Sequence, residues 1–287
     1  MTRVEIVATC HGLARVDGDE LVVTDLPYAD VGALLADGRG LDLVETAGVK
    51  TRLALGRLSE VVVPPVPLRG TTVWGIGLNY HAKAALTGRP VPDFPTLYIK
   101  PASALAGPTE PLRIPGDLSQ QVDYEGEIGI VVGRPMDNVA PSEVWSRVAG
   151  VIAGNDVTAR DLMTAHGSPL LAKSMPGVGA LGPSILPLAD IPAHDDVRVR
   201  TWLNGDLVQD GRTSDLIVPV SELLALISRY ARLEPGDVVL TGTPPGTGQD
   251  RGVFLAPGDE ITIQVDTMQP LVTAVRAGVG AAVGASA

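Results

Sequence analysis

The feature that most constrains this chain is a run of three carboxylates that leads directly into an apolar strand. Residues 121–133 read QVDYEGEIGIVVG, so Asp123, Glu125 and Glu127 alternate with other residues before IGIVV. On a β-strand, residues two apart lie on the same face, and like charges side by side are destabilising. The fold must expose these carboxylates, pair them with Lys or Arg, or bind a cation between them. Simple exposure is disfavoured, because IGIVV predicts a strand buried on at least one face.

Composition narrows the classes of protein that this chain can represent. The 287 residues include 33 Gly and 24 Pro, with 45% hydrophobic and only 3% aromatic residues, which predicts a β-rich fold with an aliphatic core. A net charge of −11 argues against a nucleic-acid partner. The lone cysteine, Cys10, and the absence of a long apolar stretch or signal-peptide pattern predict a cytoplasmic protein without a membrane partner.

The pattern of residues changes near a proline-rich segment, VVVPPVPLRG. Before it, RVEIVA and ELVVTD read as short strands and YADVGALLAD as a helix, which predicts a small α+β domain over residues 1–68. After it, strands, turns and short helices alternate through a larger domain over residues 69–287. There VRVRTWLNGDLVQD predicts a hairpin turning at Asn204-Gly205, and the tail AGVGAAVGASA is expected to fray.

A second acidic segment offers a partner for the first. AGVIAGNDVTARD places Asp156 at the end of an apolar run, where a helix cap is the simpler interpretation. Carboxylate oxygens from two strands are also the ligands that Mg²⁺ or Mn²⁺ prefers. Glu125 and Glu127 together with Asp156 therefore form a candidate metal site.

Four segments, in this order and spacing, resemble the fumarylacetoacetate hydrolase family. They are VDYEGEIGIVVG, NDVTARDL, LLAKS and LEPGDVVLTGTPPGTG, and the resemblance covers roughly residues 70–275. It implies a fold of mixed β class with α+β character, in which a β-sandwich roll with peripheral helices encloses a metal site. The N-terminal unit is similar to the extra domain of many bacterial members.

The resemblance also implies roles for individual residues. Glu125, Glu127 and Asp156 match the Mg²⁺ or Mn²⁺ ligands. Lys173 matches a lysine beside the substrate oxygen, and Arg160 an arginine that reaches the substrate in some members. The proposed substrate contacts are Thr243, which matches the loop threonine at the substrate carboxylate, and Tyr80 of the matched Asn-Tyr pair. His81 and His166 are added from their places in the sequence, beside that pair and between the Arg160 and Lys173 motifs.

The chain departs from the family pattern at the residues that activate water. Hydrolases of the family carry N-Y-x-x-H-x-x-E, whereas GLNYHAKAALTG places Lys83 at the His position and Leu86 at the Glu position. His81 is two residues early, about 200° around a helix. Lys83 could replace the histidine as a base or hold a substrate carboxylate; alternatively, the reaction needs no activated water.

The sequence therefore favours a divalent-metal enzyme acting on a small anionic 2-oxo or β-diketo carboxylate through a metal-stabilised enolate, as an isomerase, tautomerase or decarboxylase. One alternative is a C–C hydrolase of the acylpyruvase or fumarylacetoacetate hydrolase type. Another is an inactive relative that only binds metal and ligand. Because relatives are commonly dimers, the resemblance implies a homodimer.

Overall fold

The computed structural model describes residues 4–114 and 116–278, so most of the predicted frayed tail lies outside the described residues. Short strands dominate. In chain order they are β1 (Ile6–Thr9), β2 (Gly12–Asp17), β3 (Glu20–Thr24), β4 (Val49–Ala54), β5 (Val62–Val63), β6 (Val73–Gly77), β7 (Thr96–Lys100), β8 (Leu105–Ala106), β9 (Leu112–Ile114), β10 (Val122–Asp123), β11 (Gly126–Val132), β12 (Val148–Asn155), β13 (Thr158–Ala159), β14 (Gly179–Pro187), β15 (Arg198–Leu203), β16 (Asp206–Arg212), β17 (Val238–Leu240), β18 (Glu260–Val265) and β19 (Leu271–Ala277).

Helices are short and peripheral, as the sequence predicts. They are α1 (Val31–Ala36), α2 (Asp42–Thr46), α3 (Leu58–Val61), α4 (His81–Thr87), α5 (Pro141–Val144), α6 (Arg160–His166), α7 (Pro169–Ala172), α8 (Val220–Tyr230) and α9 (Gly248–Arg251). Among the residues that the structure describes, no helix is long and apolar enough to cross a bilayer.

Two sheets form the body of the molecule. The longer one follows the order β4-β3-β2-β1-β14-β12-β11-β17-β6-β7, with β5 and β8 paired at its side. The second follows the order β16-β15-β18-β19-β9, and the short pair β10-β13 stands apart. Most neighbours are antiparallel, but β17 pairs with β6, β8 with β14, and β9 with β19 in parallel. This mixed pairing confirms the predicted fold class.

The central strand β11 explains the continuous apolar run GIVV. All seven of its residues are buried. Ile128 and Ile130 pack into a core cluster that also contains Val199 and Ile263 of the second sheet. Val131 packs on the other face, in a cluster with residues of α1. With apolar layers on both faces, β11 is shielded from water along its whole length.

The N-terminal strands extend the long sheet. β1 pairs with β14, with Ile6 opposite Ile185 and Val7 opposite Ser184. The predicted strands and helix of this region are present as β1, β3 and α1, and the predicted hairpin turns at Asn204-Gly205 with φ of 54° and 87°. Strands on both sides of the predicted boundary near residue 68 thus share one sheet, and the division into domains 1–68 and 69–287 stays a prediction.

Glu5 ties this N-terminal edge to the rest of the protein. Its Oε2 atom accepts hydrogen bonds from Ser184 Oγ at 2.6 Å and from the Gln269 N–H at 2.8 Å. Burial raises the pKa of Glu5, and the two hydrogen bonds only partly offset this effect. When folding raises the pKa of a carboxyl group, the free energy of unfolding falls as the pH climbs from the unfolded pKa, about 4.3, through the folded pKa.

We expect Glu5→Gln to raise the melting temperature at pH 7 by a few degrees. The amide oxygen can accept the same two hydrogen bonds without burying a charge. The difference from wild type should shrink towards pH 4, where the carboxyl is mostly protonated in both states. Thermal melts from pH 4 to pH 8 measure it, with the exposed Glu60→Gln as control. A variant less stable than wild type at pH 7 would contradict this prediction.

Candidate metal centre and cavity

The strand register brings the three predicted ligands together. In the β11–β12 ladder Gly126 pairs with Asn155, so the residues beside this pair meet at the same point. The Asp156 N–H donates to the Glu125 carbonyl at 2.9 Å, and the Asn155 side chain accepts from the Glu125 N–H at 3.2 Å. Oxygen atoms of Glu125, Glu127 and Asp156 all lie within 4.8 Å of one another, and all three residues are buried.

Gly126 is needed between the two glutamates because the second sheet passes close to it. A Cβ atom at this position would lie 1.9 Å from Thr201 Oγ1 of β15. The glycine therefore lets the two sheets approach at the carboxylate cluster.

Asp123 has a different role from the other carboxylates. The extended strand is interrupted between β10, which ends at Asp123, and β11, which begins at Gly126. Asp123 therefore does not share one strand face with Glu125 and Glu127, although the alternation predicts that it would. It instead receives the Arg160 Nε–H at 2.7 Å and the backbone N–H groups of Gly248 and Gln249 at 2.6 and 3.0 Å. Asp123 holds the arginine and the start of α9.

Three cations surround the carboxylates. Lys173 Nζ donates to Glu125 Oε2 and Asp156 Oδ2, both at 2.6 Å, and to Thr158 Oγ1 at 2.8 Å. Arg160 also donates to Glu125 Oε1 at 2.6 Å. The structure thus brings the predicted Lys173 and Arg160 directly onto the predicted ligands.

Lys100 and Tyr98, both on β7, complete the cluster and were not predicted from the sequence. Lys100 Nζ lies 3.0 Å from Asp156 Oδ1, although this oxygen accepts no hydrogen bond from a described residue. The Tyr98 hydroxyl donates a short hydrogen bond to Asp156 Oδ2. The signal available in the sequence was a lysine at the end of the apolar stretch TLYIK. If that strand is buried, its lysine needs a carboxylate partner, because a fully buried lysine is almost always paired.

Glu127 is the carboxylate that the cations leave least compensated. It accepts one hydrogen bond, from the Gly242 N–H at 2.8 Å, and forms no ion pair within the described residues. Burial, together with the charges of Asp156 and Glu125, raises the pKa of Glu127 well above its ordinary value. Glu127 therefore needs either a proton or a further cation.

Glu125, Asp156 and Lys173 are held in their charged forms. Burial alone would raise the pKa of Glu125, but the charges of Lys173 and Arg160 outweigh it and the pKa is lowered. Asp156 likewise has a lowered pKa, because Lys173 and Lys100 outweigh its burial. In return Asp156 and Glu125 raise the pKa of Lys173 in spite of its burial.

The donor set fits a hard divalent cation. Two ligands of Mg²⁺, at about 2.1 Å each, lie at most about 4.2 Å apart, and the three carboxylates are close to that spacing. The uncompensated charge of Glu127 is a further feature that a cation would satisfy. These oxygens favour Mg²⁺ or Mn²⁺ over softer metals.

A cavity of about 320 Å³ opens above these groups. Its lining combines carboxylates and cations with a few apolar residues, and includes Glu125, Glu127, Arg160, Lys173, Lys83, Arg89, Tyr98, Met163, Thr243 and Gln249. The volume falls in the range of small-molecule sites, about 300–1,000 Å³.

Thr243 lies in this lining, as predicted. Its hydroxyl donates to the Gly126 carbonyl at 3.0 Å and accepts from Gln209 Nε2 at 2.8 Å. Because the hydroxyl proton is engaged by the backbone, the side chain can offer a substrate little without rearranging. Gln209, on β16, was not predicted, since its proximity depends on how the two sheets pack.

The structure places Tyr80, His81 and His166 outside the cavity lining. Tyr80 is fully buried in the core, and its hydroxyl finds no partner among the described residues. His81 begins α4 and His166 ends α6, both with exposed side chains. For His81 the reason is that Lys83, two residues later, takes the inward face of α4. The substrate contacts of all three residues stay predictions.

Lys83 and Leu86 occupy the positions of the missing water-activating pair. Lys83 lines the cavity, but its Nζ lies 2.5 Å from Asp250 Oδ2 and 2.9 Å from Thr247 Oγ1. Leu86 is 60% exposed. Helix α4 is called the lid helix below, because it carries Lys83 at the edge of the cavity. It presents no His–Glu pair to the cavity.

Comparisons with known proteins identify the family of this chain. The fumarylacetoacetate hydrolase C-terminal family model matches residues 72–276. The chain is 37% identical over 197 residues to the oxaloacetate tautomerase fahd2, mitochondrial, of Xenopus laevis, which covers 67% of this chain and 61% of that protein.

Two solved structures are also similar. The 5-carboxymethyl-2-hydroxymuconate delta-isomerase of Mycobacterium smegmatis has a TM-score of 0.75 at 30% identity, covering 97% of this chain and all of that one. A fumarylacetoacetate hydrolase from Exiguobacterium antarcticum has a TM-score of 0.80 at 29% identity, covering 96% and 99%. The chain belongs to the fumarylacetoacetate hydrolase family.

Proposed function

We propose that the protein is a divalent-metal-dependent enzyme that interconverts the keto and enol forms, or shifts the double bond, of a small 2-oxo carboxylate. Decarboxylation would use the same enolate. The observation that carries the proposal is the combination of a complete carboxylate and lysine cluster with a lid helix that lacks a water-activating pair. The cluster supports enolate chemistry, and the lid does not support hydrolysis.

The cluster supplies binding and charge stabilisation for such a substrate. Glu125, Glu127 and Asp156 would hold the cation. When bound, it supplies positive charge to the oxygens on which negative charge develops. Lys173 lines the cavity and keeps its ammonium charge through its two carboxylate contacts. Its three N–H groups already donate to Glu125, Asp156 and Thr158. Lys173 would therefore stabilise negative charge on the 2-oxo oxygen by its positive charge, and by a hydrogen bond only once one of these contacts is exchanged.

The surroundings of the cluster favour this chemistry by excluding water. Glu127 and Lys173 are 1% and 4% exposed, so charges facing the cavity are only weakly screened. In such surroundings a fixed ammonium stabilises an enolate more strongly than it would in bulk water. A dry site also protects the enolate from side reactions.

The relatives support the same reaction class. One is named an oxaloacetate tautomerase and another a delta-isomerase. Neither name describes hydrolysis of a C–C bond, and both reactions move a proton next to a carbonyl group.

Hydrolysis is a second candidate because a fumarylacetoacetate hydrolase is among the similar structures. It would require another group to activate water in place of the His–Glu pair. A catalytically inactive protein that only binds metal and ligand remains a third possibility that the same assays address.

We expect tautomerisation of oxaloacetate, followed by enol absorbance, to accelerate with enzyme and Mg²⁺. Lys173→Met should lower kcat/KM by about 10²–10³, the usual effect of removing one oxyanion donor. Lys50→Met, an exposed lysine, serves as control. Metal-dependent release of pyruvate from an acylpyruvate would contradict the non-hydrolytic proposal, and metal binding without turnover of any 2-oxo acid would indicate an inactive relative.

Calorimetry and thermal melts should reveal the metal. At a hundredfold excess over its Kd, Mg²⁺ stabilises the fold by about 2.7 kcal/mol. Glu127→Gln should abolish the Mg²⁺-dependent shift while leaving the metal-free protein at least as stable, because it removes a poorly compensated buried charge.

Asp123→Asn is the matched control for this experiment. It also alters a buried carboxylate, but one outside the ligand set, so the Mg²⁺-dependent shift should persist even if the melting temperature falls. If Glu127→Gln binds Mg²⁺ and Mn²⁺ as tightly as the wild-type protein does, the metal assignment is contradicted.

A further inference from the structure

Lys83 forms a buried ion pair with a residue that the family resemblance does not mark. The Lys83 and Asp250 side chains are 10% and 6% exposed, and their charged atoms lie 2.5 Å apart. Lys83 also donates to Thr247 Oγ1 at 2.9 Å. Two of the three donors of the ammonium are therefore engaged by one segment, residues 243–251, which includes the short helix α9 and is called the 243–251 loop below.

Asp250 is itself fixed in that loop. Its Oδ2 atom accepts the N–H groups of Gly246 and Thr247 at 2.8 and 3.1 Å, in addition to the Lys83 ammonium. The same loop presents Thr243 and Gln249 to the cavity. The pair therefore connects the lid helix α4 to a rigid wall of the site.

Two further contacts hold the start of α4. The Ala82 N–H donates to Asp215 Oδ2 at 3.1 Å, and Tyr80, just before the helix, forms a bridge with Leu216. The helix ends at Gly88, with φ of 62°, before an exposed segment. Lys83, in the first turn, adds a side-chain contact on the face of α4 that lines the cavity.

We propose that Lys83 and Asp250 are a positioning pair that docks α4 onto the 243–251 loop and closes this side of the cavity. Lys83 is then not the base: a neutral amine would leave the Asp250 carboxylate buried without its cation, which is strongly unfavourable. The effect on turnover rests on the proposed function, whereas the docking does not.

Amide hydrogen exchange across α4 tests the docking without any assay of activity. Lys83→Met and Asp250→Asn should each speed exchange of the α4 amides at least tenfold. Lys83→Arg, which keeps the charge, should stay within about threefold of wild type, as should Arg52→Met, which removes the exposed Arg52–Glu20 pair. Unchanged exchange in both Lys83→Met and Asp250→Asn would overturn the proposal.

Kinetics with oxaloacetate then separate positioning from base catalysis. For a positioning pair, Lys83→Met and Asp250→Asn raise KM more than they lower kcat, the double variant is no worse than either single one, and the pH profile keeps its shape. A loss of kcat of a thousandfold or more in Lys83→Met alone, with one limb of the pH profile removed, would overturn the proposal in favour of a base. If Lys83→Met does not fold, Lys83→Arg and Asp250→Asn decide the same question.

Discussion

The structure depends on a balance of buried charge where β11 and β12 meet. Four carboxylates, from Asp123, Glu125, Glu127 and Asp156, face three cations, from Lys100, Lys173 and Arg160. Burying ions costs several kcal/mol each unless they are paired with good geometry. The counts differ by one negative charge, and Glu127 is the carboxylate without an ion-pair partner among the described residues. One negative charge is therefore left over, which a proton on Glu127 or a bound cation would neutralise.

The rest of the fold keeps this cluster in place and dry. β11 is covered on one face by the second sheet and on the other by the layer that includes α1. Gly126 allows the sheets to approach at the cluster, and the backbone pairing of Gly126 with Asn155 sets the positions of the carboxylates. Rigid strands on both sides mean that the charges are positioned before a substrate arrives, which is the condition for electrostatic stabilisation of an enolate.

Much of the site could be predicted because its residues follow apolar strands in short motifs. Glu125, Glu127 and Asp156 are together because they stand beside apolar strands that the sequence marks. Lys173 and Arg160, which contact them, were predicted through the family resemblance, as was the fold class. The buried central strand follows from the apolar run itself. The division at residue 68 is less accessible to such reasoning, because the N-terminal strands pair into the long sheet.

Other features could not be predicted because they depend on contacts between distant segments. Tyr98 and Lys100 join the cluster only through the placement of β7, and Asp250 meets Lys83 across 167 positions of sequence. Histidines suggest function wherever they occur in a sequence, yet His81 and His166 lie on exposed faces. A local sequence pattern predicts which polar residues stand at the end of a strand. Which cation contacts which carboxylate depends on how distant strands and helices pack together.

Anomalous diffraction from Mn²⁺-soaked crystals tests the central claim most directly. The account predicts a single strong peak within about 2.0–2.3 Å of carboxylate oxygens from Glu125, Glu127 and Asp156. A peak elsewhere, or no peak at Mn²⁺ concentrations that saturate the calorimetric titration, would contradict it.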